Sequence, residues 1–473
     1  MIFEKNSLRT ILNRKSLEAV NRNSKSIHFA LSAIEAAMRS VDPVLLIKNN
    51  MKLKGHNLII TDLFKNIVNI DLFTIQRIYI IGAGKASGKM ALAVRRLLRE
   101  REVEGAVNVP YGSNMRSDAI SITEAGHPIP DENGIEGTKK ILGILKKTHK
   151  FDLVIVLISG GGSALLPMPT RGISLSTKQS VTRSLLLAGA SIEEVNTVRK
   201  HLSEVKGGRL LQHFRERCRV ISIIISDVIG DDLSIVASGP TFPDCSTYQQ
   251  AVEILKKYLV WDSSMAGIVT VKKVILKGKD GGIPETIKIG DQVLTNVSNI
   301  IIGNNELACK AAMKTLNRMK INTIYLGSSF GGLAIDHGRY LAHLASQFSS
   351  NCLPSAFVLG GETVVKVSNG HLGGTGGRNQ EAALASAMSF KYKKDMDLTI
   401  CCLGTDGIDG NSTYAGAVVT PRIFRLVQGR KEKYKGYLAE HDTSNAFREL
   451  KSLIVTGRTG TNVNDISIMV RVK

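Results

Sequence analysis

Several glycine-rich turns in this 473-residue chain follow apolar runs and carry a charged or hydroxyl side chain. In the first, residues 82–88, Lys85 stands beside Gly84 in the sequence GAGKASG. A glycine-rich turn between a strand and a helix lets backbone N–H groups approach an anion. Lys85 would add a cation suited to a phosphate or a carboxylate. The alternative is a tight packing turn with a solvated lysine.

Two further turns follow apolar runs in the first half of the chain. Residues 151–158 lead into Ser159-Gly160-Gly161-Gly162-Ser163. Three glycines permit close approach of a ligand to the backbone, and Ser163 can cap the following helix; a flexible turn is the alternative. Residues 220–225 lead into Ser226-Asp227. This places the Asp227 carboxylate at the end of a strand, where it can hold Mg²⁺ together with nucleotide phosphates.

Arg378 opens an alanine-rich helix directly after the glycine cluster 373–377. A guanidinium at a helix N-terminus opposes the helix dipole unless an anion is present. Because arginine can clamp a carboxylate or a phosphate with two hydrogen bonds, we predict an anion-binding role for Arg378.

Two carboxylates stand three residues apart in the loop GTDGIDG, which follows the apolar run 398–403. Such a loop suits a Mg²⁺ ligand or a base that accepts a hydroxyl proton. We favour Asp406 for this chemistry and Asp409 for a turn role. The loop lacks the regular ladder of oxygen ligands of an EF-hand.

None of these turns completes a known nucleotide-binding fingerprint. The G-x-G-x-x-G pattern needs a glycine where Ser87 stands, and an acid at the end of the next strand, where Pro110 and Tyr111 stand. The chain also contains no Walker A sequence. A nicotinamide enzyme is therefore disfavoured, and phosphoryl transfer stays open. His127, in a proline-rich turn, is expected to have a structural role.

The elements that must position these turns are buried strands that alternate with helices. The runs 77–81, 151–158 and 220–225 are continuous and β-branched, as in parallel strands buried on both faces. Helical patterns at 176–190, 192–203 and 247–258 supply crossovers. The turns then lie at the carboxyl ends of parallel strands, where α/β proteins bind ligands. We predict two α/β domains with mainly parallel, helix-covered sheets.

The pattern weakens at 262–295, which predicts a domain boundary there. We therefore expect a basic segment or helix over 1–25, an N-terminal domain over 26–272 and a C-terminal domain over 273–473. The basic start lacks the apolar core of a signal peptide, and its acidic residues disfavour a mitochondrial presequence. No apolar run is long enough to predict a membrane span.

The composition is that of a globular protein with excess positive charge. Lys and Arg total 62 against 41 Asp and Glu, a formal net charge of +21, which can attract anionic substrates. A nucleic-acid-binding protein is the alternative from another class, but the charge is scattered and aromatic residues are only 5%. The six cysteines form no C-x-x-C pair, so we expect a reducing, cytoplasmic location.

Taken in order, the motifs resemble those of the glycerate 2-kinases whose C-terminal part is called the MOFRL domain. Each motif is weak by itself, but the ordered set is specific and spans nearly the whole chain after about residue 30. The matching segments are GAGKAS at 82–87, AGHPIPDE at 125–132, SGGGSALL at 159–166, NTVRKHLSEVKGGRL at 196–210, SDVIGDDLSIVASGPT at 226–241, GGET at 360–363, GGRNQEAAL at 376–384, GTDGIDG at 404–410 and TGTNVNDI at 459–466.

This resemblance implies an enzyme that uses ATP and Mg²⁺ to phosphorylate D-glycerate at its 2-hydroxyl. It implies a Rossmann-like glycerate kinase domain, a MOFRL-type domain and an active-site cleft between them. By motif, Lys85 and Arg378 would bind the substrate carboxylate and the transferring phosphate. Asp406 would orient the hydroxyl or accept its proton, and Asp227 would assist Mg²⁺ or substrate. Asp227 and Asp406 are the expected Mg²⁺ ligands, and the other expected binding residues are Gly84, Ser159, Gly160, Gly161, Gly162, Ser163, Glu362, Asn379 and Gln380.

The chain departs from the family pattern at three places. Arg458 replaces a proline, Thr413 replaces an acid and the glycine-rich stretch 370–377 is slightly expanded. Proteins of this family have also been labelled hydroxypyruvate reductases, which is the alternative activity. The expected partners are D-glycerate and ATP, with no nucleic acid and no membrane, and a homodimer is a candidate assembly.

Overall fold

The structure, a computed structural model, describes residues 10–348, 353–367, 373–393 and 396–473. Cys352, part of the basic N-terminal segment and part of the glycine-rich stretch 370–377 therefore lie outside the described residues. The chain forms two compact units. We call Leu46–Ile302 the middle unit, and Met1–Leu45 together with Gly303–Lys473 the terminal unit. This division differs from the predicted one at residues 25 and 272.

The N-terminal helices explain the difference. The described chain opens with α1 (Arg14–Val20) and α2 (Ser26–Ser40), and the apolar face of α2 is fully buried. The carboxylate of Asp397 accepts hydrogen bonds from the backbone N–H groups of Lys25 and Ser26, at 2.6 and 3.1 Å. This carboxylate at the start of α2 satisfies backbone donors that a helix N-terminus leaves open. Residues 10–45 therefore belong with the C-terminal part of the chain.

The middle unit alternates strands and helices along most of its length. Its strands are β1 (Met51–Lys54), β2 (Asn57–Thr61), β3 (Ile67–Asp71), β4 (Ile78–Ala83), β5 (Val103–Pro110), β6 (Ile120–Ala125), β7 (Leu153–Ser159), β8 (Arg219–Ile225) and β9 (Val297–Gly303). Its helices are α3 (Pro43–Asn50), which begins in the terminal unit, α4 (Ser87–Leu97), α5 (Glu132–Leu145), α6 (Gly162–Leu165), α7 (Leu175–Leu187), α8 (Ile192–His201), α9 (Tyr248–Lys257) and α10 (Ile268–Lys279).

The central sheet of the middle unit has the strand order β6-β5-β4-β7-β8-β9. The pairs β4–β5, β4–β7, β5–β6 and β7–β8 are parallel, as predicted. Counted from β4, this is the doubly wound order 3-2-1-4-5-6, which reverses between β4 and β7. The turns after these two strands therefore flank the position where such sheets bind ligands. Strands β1, β2 and β3 form a separate antiparallel sheet.

Helices α7, α8, α9 and α10 share an apolar core of their own. Val181, Val198, Leu255 and Ile275, one from each helix, are at most 1% exposed. Capping boxes begin α8, at Ser191, and α9, at Thr247. The predicted helical patterns at 176–190, 192–203 and 247–258 are thus confirmed, but they build a helical layer beside the sheet as well as crossovers.

The terminal unit continues from Gly303 to the C-terminus. Its strands are β10 (Asn322–Tyr325), β11 (Ser355–Gly361), β12 (Asp397–Gly404), β13 (Gly416–Val419), β14 (Leu453–Ile454) and β15 (Asp465–Val472). Its further helices are α11 (Asn305–Arg318), α12 (Ala334–Ser346), α13 (Arg378–Ser389), α14 (Pro421–Gly429), α15 (Lys431–Ala439) and α16 (Thr443–Glu449).

The six-stranded sheet of the terminal unit is mixed, with the order β10-β11-β15-β12-β13-β14. Only β10 and β11 pair in parallel; the other four pairs are antiparallel. Two of these pairs arise because β15, the last strand of the chain, inserts between β11 and β12 in the opposite direction, and the other two arise because β13 runs antiparallel to both β12 and β14. The sheet therefore differs from the mainly parallel one predicted. Throughout the described ranges, each helix is too short or too polar to cross a membrane.

Candidate active site

The turn after β4 is locked to the turn after β7. Gly84 has φ +147°, and a Cβ there would lie 2.1 Å from the Ser159 hydroxyl oxygen. The N–H of Lys85 donates to the carbonyl of Gly160 at 2.9 Å, and the N–H of Ala86 donates to the Ser159 hydroxyl at 2.9 Å. The backbone donors of this turn are therefore already used. The expectation that these N–H groups receive an anion is wrong for Lys85 and Ala86, and the anion-binding role of the Lys85 side chain stays a prediction.

Two side chains lie against Gly161. This glycine has φ +82°, and a Cβ on it would lie 2.9 Å from Nε2 of His127 and 3.4 Å from Cγ of Lys85. A larger residue would therefore displace one of the two. Lys85, His127 and Gly161 are all half-buried, so they are accessible from solvent. The structure thus brings His127, expected to be structural, into the same place as Lys85.

The turn after β7 keeps backbone donors available. Within the described part of the chain, the N–H groups of Gly161, Gly162 and Ser163 have no hydrogen-bond acceptor. The Ser163 hydroxyl contacts the hydroxyl of buried Ser238 at 2.8 Å. Ser238 and its neighbour Ala237 hold left-handed backbone angles, with φ +62° and +51°. Non-glycine residues in this region carry strain, which is commonly retained at functional sites.

Asp227 lies at the same sheet edge. Ser159, at the end of β7, pairs with Ile225 at the end of β8, and Asp227 follows two residues later. Its side chain is half-buried. The predicted position of a carboxylate at a strand end is confirmed, whereas its role in binding Mg²⁺ or substrate stays a prediction.

In the terminal unit, Arg378 holds two carboxylates. Its Nε donates to Asp465 at 2.6 Å, a second nitrogen donates to the other Asp465 oxygen at 3.1 Å, and a third contact reaches Glu362 at 2.6 Å. The anions that sequence reasoning required near this helix N-terminus are thus protein side chains. Burial by itself lowers the pKa of Arg378, but Asp465 and Glu362 outweigh it and raise that pKa overall.

Asp465 was missed by sequence reasoning. It is the first residue of β15, its side chain is fully buried, and burial raises the pKa of its carboxyl although Arg378 opposes the shift. The motif TGTNVNDI contains Asp465, but an acid at the start of an apolar strand carries no sign of its partner. Glu362, predicted as a binding residue, is the more exposed partner of Arg378, with 41% of its side chain exposed.

Asp409 caps α13, which agrees with the structural role predicted for it. Its carboxylate accepts from the backbone N–H of Asn379 at 3.0 Å and of Gln380 at 2.8 Å. The Asn379 side chain also donates to Asp409, and the Gln380 amide contacts Ser412 and Ser444. Asn379 and Gln380, predicted as binding residues, thus have buried side chains that connect the helix to neighbouring loops.

Asp406 occupies the same loop but has a different environment. Its Oδ1 accepts the N–H of Ile408 at 3.1 Å, and its side chain is half-buried. A Cβ on Gly404 would lie 3.3 Å from an Asp406 oxygen and 3.4 Å from an Asp465 oxygen. The loop therefore presents Asp406 beside the Asp465–Arg378 pair, which links two of the predicted site residues.

A pocket of about 470 Å³ lies next to these groups. Glu381 and His441 face each other in its wall, with 2.7 Å between Oε1 and Nδ1. Burial raises the pKa of Glu381, although His441 acts in the opposite direction. The residues that line the pocket and carry polar side chains are Thr363, Arg378, Glu381, Asn411 and His441. His441 had not been singled out, because a histidine between two helices has no distinctive spacing.

The arrangement of acidic, histidine and cysteine side chains bears on how a metal ion could bind. In the described ranges, no three or more His, Cys, Asp and Glu side chains are grouped so that they could hold an ion. Mg²⁺ commonly binds through one or two carboxylates, waters and substrate phosphates, so it needs no such group. Single half-buried carboxylates such as Asp227 and Asp406 fit this mode of binding.

Comparisons with known proteins place these features in a family. A family model described as Domain of unknown function (DUF4147) matches residues 29–272, and one described as MOFRL family matches residues 355–465. The chain is 39% identical over 402 residues to a Thermotoga maritima protein named D-glycerate 2-kinase, which covers 83% of this chain and 90% of that protein. The chain belongs to the glycerate 2-kinase family. The resemblance noted in the sequence is thereby confirmed.

A solved structure and a further curated relative extend the comparison. The crystal structure of glycerate kinase from Thermotoga maritima matches with a TM-score of 0.78 and 34% identity, over 94% of this chain and 99% of that chain. The α/β fold class is confirmed. A putative hydroxypyruvate reductase of Agrobacterium vitis is 37% identical over 396 residues, or 82% of this chain and 98% of that protein. The relatives to which this chain is similar thus carry two different reaction names.

Proposed function

We propose that this protein transfers the γ-phosphoryl group of ATP to the 2-hydroxyl of D-glycerate, giving ADP and 2-phosphoglycerate. The observation that carries the proposal is the edge of the parallel sheet where Lys85 and the free donors of Gly161, Gly162 and Ser163 meet. A cation beside several N–H groups suits a phosphate. The name of the Thermotoga maritima relative supplies the acceptor.

The proposed roles follow from charge and access. Lys85 stabilises the charge that develops on the transferring phosphoryl group, because phosphoryl transfer depends mainly on positioning and on charge neutralisation. Arg378, held by Asp465 and Glu362, orients the substrate carboxylate from a fixed position. Asp406 accepts the proton of the 2-hydroxyl of D-glycerate. The oxygen of that hydroxyl attacks the γ-phosphorus, and the bond between the γ-phosphorus and the oxygen that leaves with ADP breaks.

Mg²⁺ belongs to the proposal as an ion that arrives with ATP. It would neutralise charge on the phosphate oxygens. Asp227 and Asp406 are each proposed as a single carboxylate contact to it, since each is half-buried and follows a buried strand. The cysteines that the structure describes are all free, which supports a cytoplasmic location in this proposal.

The hydroxypyruvate reductase alternative is disfavoured by the end of β5. A nicotinamide-binding sheet of this order places an acid there for the ribose hydroxyls. Here β5 ends at Pro110, and the next residue, Tyr111, donates its hydroxyl to Asp131 at 2.5 Å. The ribose-binding carboxylate is therefore replaced by a tyrosine that already has a partner.

The test is product analysis with two substrate pairs. Purified protein is incubated with D-glycerate, ATP and Mg²⁺, or with hydroxypyruvate and NADH, and the first reaction is followed by phosphorus NMR. We expect a phosphate signal on the 2-oxygen, and activity lowered at least about 100-fold in Lys85→Met and in Asp406→Asn. Lys273→Met, at an exposed position of α10, is the matched control. Turnover with hydroxypyruvate alone would overturn the proposal.

A further inference from the structure

Three basic side chains of the middle unit are buried or half-buried and form no ion pair with an acid among the described residues. Lys178 on α7 is 8% exposed, Lys206 is 2% exposed, and Arg199 on α8 is half-buried. Among the residues that the structure describes, Lys178 Nζ has no hydrogen-bond partner. Lys206 Nζ reaches only the carbonyl of Ala237, at 3.3 Å. Buried charges are normally paired, so this group is unusual.

Other basic residues in this region do have partners for their charged groups. Lys200, also on α8, donates to buried Asp244 at 3.0 Å, and His201 contacts Glu285 at 3.0 Å. The Arg209 guanidinium donates to three neutral oxygens, those of Ser203, Tyr248 and Pro284. In contrast, Lys178, Arg199 and Lys206 form no ion pair with any residue of the described chain.

The three cations also act on one another. Burial and, next, repulsion by Lys206 lower the pKa of Lys178. Burial and, next, repulsion by Arg199 lower the pKa of Lys206 to about 7. Burial lowers the pKa of Arg199. The positive charges are therefore close enough to disfavour one another, and each would gain from an anion placed among them.

This group adjoins the glycine-rich turn after β7. Lys206 contacts Ala237, and the next residue, Gly207, donates its N–H to the carbonyl of Ser238 at 3.0 Å. A Cβ on Gly162 would lie 2.7 Å from Cβ of Ala237. The Ser238 hydroxyl touches Ser163 at 2.8 Å and Asn196 of α8 at 3.4 Å. The strained turn at Ala237 and Ser238 thus connects the cations to the proposed phosphate-binding loop.

We propose that Lys178, Arg199 and Lys206 form an oxyanion subsite beside the turn 159–163. The occupant is a phosphate oxyanion of ATP, because the proposed function assigns the D-glycerate carboxylate to Arg378. Binding of that carboxylate here instead is an outcome that the titrations below distinguish. The inference rests on the proposed function for the identity of these substrates. The chemistry that recognises the ligand, three cations without an internal acid, does not depend on the reaction.

The experiment measures binding and stability in the same variants. Lys178→Met, Lys206→Met and Arg199→Gln are titrated calorimetrically with D-glycerate, ATP and inorganic phosphate, and the ligand-free proteins are melted. We expect one or more of these ligands to bind at least about 10-fold more weakly. The ligand-free lysine variants keep or raise their Tm, because an uncompensated buried charge has been removed. Lys257→Met, which removes an exposed lysine paired with Glu194, is the control.

A second readout separates the subsite from a merely structural role. Titrations of the wild type at pH 8, in two buffers with different ionisation enthalpies, should show uptake of protons on binding. The reason is that the bound anion raises the pKa of Lys206 from about 7. Lys206→Met should lose this uptake. Unchanged affinity for all three ligands in all three variants, Arg199→Gln included, would contradict the subsite. Retained phosphate binding in a protein without glycerate kinase activity would contradict only the proposed function.

Discussion

At Arg378, one side chain organises two acids that are far apart in sequence. Asp465 is fully buried, while 31% of the Arg378 side chain is exposed. The buried carboxylate depends on the guanidinium for its charge, and two nearly parallel hydrogen bonds fix the direction of the fork. The guanidinium of Arg378 is thereby held in one orientation. This rigidity is what an anion-orienting residue requires.

We expect Asp465→Ala to destabilise the protein by about 3 kcal/mol, because it leaves the partly buried guanidinium with one exposed partner. The measurement is urea-induced unfolding at pH 7. Glu449→Ala is the matched control, since it breaks an exposed pair with Lys433 and should cost less than about 1 kcal/mol. Equal effects of the two substitutions would show that Asp465 and Arg378 are not coupled as described.

At the scale of elements, the turns after β4 and β7 act as one unit. Gly160 and Ser159 of the β7 turn accept hydrogen bonds from the N–H groups of Lys85 and Ala86. In return, Gly84, which has no Cβ, leaves room for the side chain of Ser159. The consequence is that the lysine is positioned by a loop about 75 residues further along the chain. Changes in the β7 turn should therefore be felt by the side chain of Lys85.

Gly161→Ala tests this coupling against a matched glycine. Gly161 and Gly189 both have φ +82°, but a Cβ on Gly161 meets His127 and Lys85, whereas nothing described lies within 4 Å of one on Gly189. Both substitutions should cost about 1 kcal/mol from left-handed strain. Only Gly161→Ala should also lower kcat/KM, by at least about 10-fold. Steady-state kinetics and thermal melts check this, and equal kinetics in the two variants would argue against the coupling.

At the scale of the whole molecule, an N-terminal segment that includes α2 packs in the same unit as the C-terminal part of the chain. Helix α2 packs on α11 and on strands β12 and β15, although nearly 260 residues of the middle unit separate α2 from the rest. The middle unit is thus an uninterrupted segment with its own parallel sheet. The terminal unit is complete only with residues from both ends, so its stability depends on a segment that sequence patterns assigned elsewhere.

Removing residues 1–41 should therefore unfold the terminal unit and spare the middle one. The deletion exposes the faces of α11, β12 and β15 that α2 covers. Hydrogen–deuterium exchange read by mass spectrometry should show loss of protection in peptides from 303–473 and retained protection in peptides from 46–302. Asp397→Ala, which removes only the carboxylate at the start of α2, should cause a smaller change in the same peptides. Loss confined to 46–272 would instead support the division predicted from sequence.

The sequence predicted the parallel sheet, the positions of several candidate site residues and the family. Glycine-rich turns after β-branched runs predicted a parallel sheet and the strand-end positions of Lys85, Ser159 and Asp227, because these patterns reflect local backbone geometry and burial on both faces. The ordered motifs identified the family, and the comparisons agree. The helices α7, α8 and α9 were also predicted, since apolar periodicity is a local property.

The tertiary structure alone decided which residues pair with the charged side chains and in which direction some strands run. Some contacts join residues that no spacing rule connects. They are the pairing of Arg378 with Asp465, the contact of His127 with the Gly161 turn, and the grouping of Lys178 with Lys206 without an acidic partner among the described residues. The antiparallel insertion of β15 and the placement of α2 depend on long-range packing. Local sequence encodes which backbone a residue adopts, whereas its ionic and packing partners are set only when distant segments close around it.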